Sequence, residues 1–156
     1  MEGGCSCGAV RYVLTAAPAI VHCCHCRQCQ RETGASFALN SLVEGEHVEL
    51  LGEEPEPVET ATRSGKGQTI WRCPHCRVAV WSNYNGVGPD VYFIRSGTLL
   101  DPDVITPDTH IYASSKQPWV VLPEGAAQFE TFYTCKDIVE LMGEEKARRI
   151  MALFGR

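Results

Sequence analysis

His22-Cys23-Cys24-His25-Cys26-Arg27-Gln28-Cys29 is the stretch that decides how this chain folds and works, since it holds four of the nine cysteines. Within it, Cys24, Cys26 and Cys29 have the spacing at which one short loop can supply three thiolates to a single soft divalent ion. Zinc is the predicted ion, because it is thiophilic and accepts tetrahedral ligands from a tight turn. An iron or iron-sulfur site would have to recruit another cysteine.

A second set of cysteines is divided between the N-terminus and the middle of the chain. Cys5 and Cys7 form a CxC at the start of a predicted strand, where residues two apart point to one face. Cys73 and Cys76 form a CxxC knuckle between strand-like runs, with His75 as a solvent-facing spacer. Separated cysteine pairs of this kind are the usual construction of a closed structural zinc site. We therefore expect these four cysteines to share one zinc, which gives two zinc ions per chain.

Composition limits the class of protein. The chain has 156 residues, of which 44% are hydrophobic, enough for one domain with its own core. Its formal charge of −5, made more negative by zinc-bound thiolates, argues against a nucleic-acid partner. No apolar run approaches a membrane span and Cys5 leaves no room for a signal peptide, so we expect a cytoplasmic protein. In that reducing compartment, an odd number of clustered cysteines indicates metal ligation and not disulfides.

Many short alternating runs separated by turn residues predict a mainly β fold with antiparallel sheets. The predicted strands cover residues 10–14, 19–23, 37–43, 58–61, 68–72, 78–81, 91–95 and 110–113. A short helical turn after Cys29 should end at Gly34, because glycine readily adopts the left-handed conformation that stops a helix.

The C-terminal tail departs from the β pattern. Thr134 can cap a helix that Gly143 stops, and a second helical run covers Glu144 to Phe154. We expect a zinc domain over 1–135 and a helical extension over 136–156 that packs on the same domain. One apolar face of the second run is expected to pack either on the sheet or on a second subunit, which would make a homodimer.

Four motifs in this order resemble the glutathione-dependent formaldehyde-activating enzyme family, also called GFA/CENP-V. They are GGCSCGAVRY (3–12), CHCRQCQRETGASF (24–37), CPHC (73–76) and HIYASSKQPW (110–119). The resemblance covers about residues 3 to 133. It implies a beta-tent fold of small antiparallel sheets, with one zinc on each of the two cysteine sets. It also implies the addition of glutathione to formaldehyde, classed as a carbon-sulfur lyase reaction in reverse.

The chemistry expected of the three-cysteine set follows from its open fourth position. Three thiolates on Zn²⁺ leave a net negative charge, so the ion would activate water less well than a three-histidine zinc. It suits a thiol, which is deprotonated on binding and can then attack an aldehyde carbonyl. We therefore predict a zinc-dependent carbon-sulfur lyase acting on a small thiol and a small aldehyde, with Cys24, Cys26 and Cys29 at its active site.

Gln30 bears on which thiol is used. It stands where many relatives carry a basic residue that could meet an acidic tripeptide, so less acidic thiols are candidates beside glutathione.

The alternative function is a non-catalytic, zinc-stabilised module that binds a protein partner. In that case His22, His25 or Cys23 would close the second zinc. We favour a structural interpretation of each: His22 as a hydrogen-bonded histidine on a strand, His25 pointing away from the zinc, and Cys23 turned by strand alternation to the opposite, buried face. Cys135 is expected to be a core or helix-start residue, and Lys116 either meets a substrate carboxylate or packs in a corner.

Overall fold

Two β-sheets form the body of the protein in the computed structural model, which describes residues 1–155. The strands are β1 (Glu2–Gly4), β2 (Arg11–Leu14), β3 (Ile20–Cys24), β4 (Ala38–Glu44), β5 (Val48–Leu50), β6 (Glu56–Thr60), β7 (Gln68–Arg72), β8 (Ala79–Tyr84), β9 (Val91–Arg95) and β10 (Thr109–Ile111). A three-stranded sheet has the order β1-β2-β5, and a seven-stranded sheet has the order β10-β3-β4-β9-β8-β7-β6. The predicted mainly β fold is therefore confirmed.

The cysteine-bearing strand β3 lies inside the larger sheet, between β4 and β10. All five of its residues are buried, as expected for a strand covered on both faces. Its pairing with β4 is antiparallel, whereas β10 runs parallel to it and places His110 opposite Cys23. The other pairings of the named strands are antiparallel, as expected, and β10 is the exception because the long connection from β3 to β10 allows the chain to return in the same direction.

The helices are α1 (Arg27–Thr33), α2 (Cys135–Met142) and α3 (Glu144–Leu153). Gly34 ends α1 in the left-handed conformation (φ 67°), as predicted, although the helix begins before the expected turn. Thr134 and Asp137 form a capping box at the start of α2, and Gly143 separates α2 from α3. Among residues 1–155, no helix combines the length and apolar character needed to cross a membrane.

The C-terminal helices complete one of two hydrophobic cores. Ile138 and Ile150 are fully buried and belong to the same cluster as Ile20 and Leu42 of the large sheet. The apolar face of α3 therefore packs on its own chain. The second core surrounds Tyr12 and lies against the smaller sheet.

A bidentate ion pair ties α3 to the sheet. Arg149 Nε donates to Glu44 Oε1 and its Nη2 donates to Glu44 Oε2, both at 2.7 Å. The same guanidinium also donates to the carbonyl oxygen of Ala17 at 3.0 Å. Both side chains are partly shielded from solvent, so this pair should stabilise the fold more than a fully exposed one.

We predict that Glu44→Gln lowers the free energy of unfolding at neutral pH by about 1 kcal/mol, after allowance for partial exposure. The hydrogen bonds from Arg149 lower the pKa of Glu44. A lowered native pKa means that the stabilisation is present above the unfolded pKa and is lost as the pH falls through the native one. Urea unfolding should therefore show a difference at neutral pH that disappears once Glu44 is protonated.

The control is Glu2→Gln, since Glu2 pairs with Arg11 at a half-exposed position. We expect its unfolding curve to stay close to that of the wild type. A loss in Glu44→Gln that is independent of pH would contradict the ion-pair explanation.

Candidate metal centres

The turn between β3 and α1 gathers the three central cysteines. Cys24 is the last residue of β3, Cys26 is the N-cap of α1, and Cys29 lies one helical turn further on. The Cys26 Sγ accepts a hydrogen bond from the Cys29 backbone N–H at 3.4 Å, which fixes the loop at the start of the helix. The three Sγ atoms all lie within 4.8 Å of one another. This is the arrangement expected for three ligands of one ion.

The three thiols are too close to ionise independently. Hydrogen bonds from Cys24 and Cys29 lower the pKa of Cys26 to about 2. Hydrogen bonding to Cys26 raises the pKa of Cys24. The cluster can therefore carry one negative charge, but a second or third thiolate needs a cation to compensate it. A soft divalent ion such as zinc fits this donor set.

The cluster is accessible at one of its members. Cys24 and Cys29 are buried within the core that the C-terminal helices complete, whereas Cys26 is only half-buried. A small ligand could therefore approach from the Cys26 side.

The second cysteine set comes together at the smaller sheet. Cys5 Sγ lies 3.4 Å from Cys7 Sγ, which lies 3.6 Å from Cys73 Sγ. Sulfur atoms around a tetrahedral zinc, with Zn–S of about 2.3 Å, are separated by about 3.8 Å. Cys76 completes the cluster, and hydrogen bonding with the backbone of Val78 lowers its pKa to about 6, which favours the ligating thiolate. These four residues thus match a closed zinc site.

The remaining histidines and cysteines that could be mistaken for ligands lie outside the two cysteine sets. His22 Nε2 is 2.8 Å from the Tyr133 hydroxyl, so its predicted hydrogen bond is confirmed. Cys23 is buried, as expected. His75 is exposed and meets Glu53 at 2.9 Å. The exposed Cys135 begins α2, which confirms the helix-start interpretation.

His25 is outside the three-cysteine cluster, as predicted, but it belongs to another cluster that sequence reasoning missed. Its Nε2 lies 3.1 Å from His110 Nδ1 and 3.6 Å from Cys23 Sγ. The sequence signal that could have indicated this cluster is that Cys23 and His25 are two residues apart on an extended chain and therefore share a face. His110 could not be connected to them without the pairing of β10 with β3.

Sequence reasoning also missed a basic pocket beside α1. This open cavity of about 450 Å³ is lined by Arg27, Gln30, Arg31, Gly34, Ala35, Ser36 and Gln117. Both arginines are exposed there, whereas Gln30 is buried. Gln30 Nε2 donates to the carbonyl oxygen of His25 at 2.7 Å, and Gln30 Oε1 accepts from Arg27 at 2.9 Å. Gln30 therefore holds the pocket wall together, and the positive charge comes from the arginines.

Together, the fold and these sites define a mainly β protein with cysteine clusters suited to metal binding. The family model described as glutathione-dependent formaldehyde-activating enzyme, or GFA, matches residues 1–115. The chain belongs to this family. The match includes all ten strands and both cysteine sets and ends before the C-terminal helices.

Two proteins of known sequence or structure are similar to this chain. A Halomonas elongata protein, provisionally named a glutathione-dependent formaldehyde-activating enzyme, is 26% identical over 126 residues, which are 77% of this chain and 79% of that protein. The crystal structure of a Rhodobacter sphaeroides protein aligns with a TM-score of 0.51 and 20% identity, covering 69% of this chain and 97% of that one. At this identity the second likeness supports the fold alone.

We predict unequal roles for the two cysteine sets. Structural zinc binding is worth on the order of 10 to 16 kcal/mol, comparable with the total stability of a domain, so Cys76→Ser should leave much of the protein unfolded. Cys26→Ser should fold, because this residue is half-buried and serine is a preferred N-cap, but it should lose one zinc per chain. Thermal unfolding and metal analysis measure both effects.

Cys135→Ser is the matched control, since Cys135 is exposed and outside both sets. It should keep the wild-type zinc content and melting temperature. If Cys76→Ser and Cys26→Ser were equally destabilised, both zinc ions would have to be structural.

Proposed function

We propose that this protein is a zinc-dependent enzyme that joins a small thiol to a small aldehyde, or cleaves the adduct, as a carbon-sulfur lyase. Glutathione and formaldehyde are the first candidate substrates, on the basis of the family. The observation that carries the proposal is the three-thiol cluster of Cys24, Cys26 and Cys29, which has a half-buried member.

The chain would hold two zinc ions with different tasks. Cys5, Cys7, Cys73 and Cys76 would hold a structural ion, and Cys24, Cys26 and Cys29 would hold the second. The second ion, when bound, would supply a thiol in its ionised form, whereas a free thiol with a pKa of about 8.5 is only a few per cent ionised at neutral pH. Because all nine cysteines are free thiols, we further propose a reducing, cytoplasmic location.

The arginine pocket supports an acidic thiol as substrate. Arg27 and Arg31 lie on the same face of α1. The same helix also carries Cys29. Their guanidinium groups can bind carboxylates in a bidentate manner. Arg27 and Arg31 therefore supply the positive charge that a basic residue at position 30 would have supplied. This charge favours glutathione over uncharged thiols.

Tyr112 is the candidate proton donor to the oxygen of the aldehyde. It packs against the core that contains Cys24 and Cys29. Its backbone is left-handed (φ 55°), a conformation that costs energy in a residue other than glycine and is often found at functional sites. Burial, together with the nearby thiolates, raises the pKa of its hydroxyl, so this group remains protonated and able to donate.

The alternative of a protein-binding module receives less support from the geometry. It requires His22, His25 or Cys23 to close the second zinc, but none of them belongs to the cluster of Cys24, Cys26 and Cys29. This supports the proposal that an exogenous thiol would take the fourth position.

We predict that the wild-type protein accelerates the reaction of glutathione with formaldehyde and that Cys26→Ser does not. Arg31→Gln should raise KM for glutathione by about tenfold, because one charged contact contributes about 1.4 kcal/mol, and should change KM for 2-mercaptoethanol much less. Steady-state rates with the two thiols measure this difference.

Arg148→Gln is the control, since Arg148 is exposed on α3 and outside the pocket. It should leave both KM values unchanged. Equal changes for the charged and the uncharged thiol in Arg31→Gln would remove the carboxylate-binding role of the pocket.

A further inference from the structure

A third cluster of ligand atoms lies beside β3, separate from both cysteine sets. It consists of Cys23, His25 and His110, whose ligand atoms all lie within 4.8 Å of one another. Cys23 and His25 are two residues apart, so an extended chain turns them to one face, and Cys24 and Cys26 to the other. Parallel pairing of β10 with β3 then sets His110 directly opposite Cys23. The strand register alone is enough to assemble the cluster.

The distances agree with ligands that share one ion. His25 Nε2 is 3.1 Å from His110 Nδ1, and Cys23 Sγ is 3.6 Å from His25 Nε2. Metal–nitrogen bonds of about 2.05 Å and metal–sulfur bonds of about 2.3 Å place such pairs about 3.3 Å and about 3.6 Å apart around a tetrahedral ion, and about 3.6 Å and about 3.8 Å apart around a planar three-coordinate ion. The two imidazole nitrogens would therefore have to separate by roughly half an ångström or less for an ion to enter.

Hydrogen bonding within the cluster is limited, because His25 Nε2 and His110 Nδ1 face each other and share only one proton. All three side chains are buried. A bound cation would compensate this burial through its bonds to one thiolate and two imidazole nitrogens.

The donor set and the surrounding charge indicate which ion binds. Thiolate and imidazole together select thiophilic ions such as copper(I) and zinc(II). Among residues 1–155 the cluster offers three ligands and no fourth, which suits three-coordinate copper(I) better than tetrahedral zinc(II). One thiolate balances the charge of a monovalent ion.

We propose that Cys23, His25 and His110 form a third metal site, which binds one thiophilic cation with filled d orbitals and prefers copper(I) to zinc(II). This site is independent of the proposed lyase activity. Its occupancy can therefore be tested whether or not the thiol–aldehyde reaction is confirmed.

Anomalous X-ray scattering tests the proposal directly. Crystals of the zinc-loaded protein would be treated anaerobically with one equivalent of copper(I), and data would be collected above and below the copper and zinc absorption edges. We expect a copper peak between Cys23, His25 and His110. A zinc peak there would support the site but overturn the preference for copper. Copper bound only at the cysteine sets, or no peak from either metal in this cluster, would overturn the proposal.

Metal analysis in solution supplies a second test. His110→Gln keeps a polar side chain of similar size and should bind one metal ion fewer per chain, with zinc at both cysteine sets retained. His47→Gln, at a partly exposed histidine outside the cluster, should bind as much as the wild type. Circular dichroism verifies that each variant is folded, and Cys23→Ser replaces His110→Gln if the latter does not fold. An unchanged metal content in a folded variant would contradict the proposal.

Discussion

The opposite orientation of neighbouring side chains along β3 is the constraint on which the metal chemistry of this protein depends. All four successive residues from Cys23 to Cys26 carry ligand-type side chains, yet an extended chain cannot direct neighbours to the same point. Cys24 and Cys26 therefore join Cys29 in one cluster, whereas Cys23 and His25 face His110 in another. One strand thus supplies ligands to two distinct sites.

The rest of the fold holds this strand in place and controls access to it. β4 and β10 cover its edges, and the C-terminal helices cover part of its surface with Ile138 and Ile150. Burial in this core couples the ionisation of the thiols, which makes a cation the natural compensation for their charge. Helix α1 carries both Cys29 and the two arginines that line the open pocket. The same helix therefore connects the metal ligands with the surface that would recognise the substrate.

Much of this architecture could be predicted from the sequence, because alternation and turn residues are local signals. The strand at Val91–Arg95 was predicted with its observed bounds, and both cysteine sets converge as their spacing indicated. β1 was missed because two of its three residues are glycine and its strand conformation depends on pairing with β2. The contact between His25 and His110 spans 85 positions in the chain and depends on the parallel register of β10, which no local pattern specifies. The arginine pocket was missed because α1 begins at Arg27, so its basic face is one turn longer than expected.

The central claim is that the cluster of Cys24, Cys26 and Cys29 leaves one coordination position for an exogenous thiol. Visible absorption of the cobalt-substituted protein tests it most directly, since a fourth sulfur ligand changes the ligand field and adds a charge-transfer band. We predict that glutathione changes the visible spectrum of the wild type in a saturable manner. Under the same conditions, the spectrum of Cys26→Ser should not change when glutathione is added. A wild-type spectrum that no thiol changes would contradict the account.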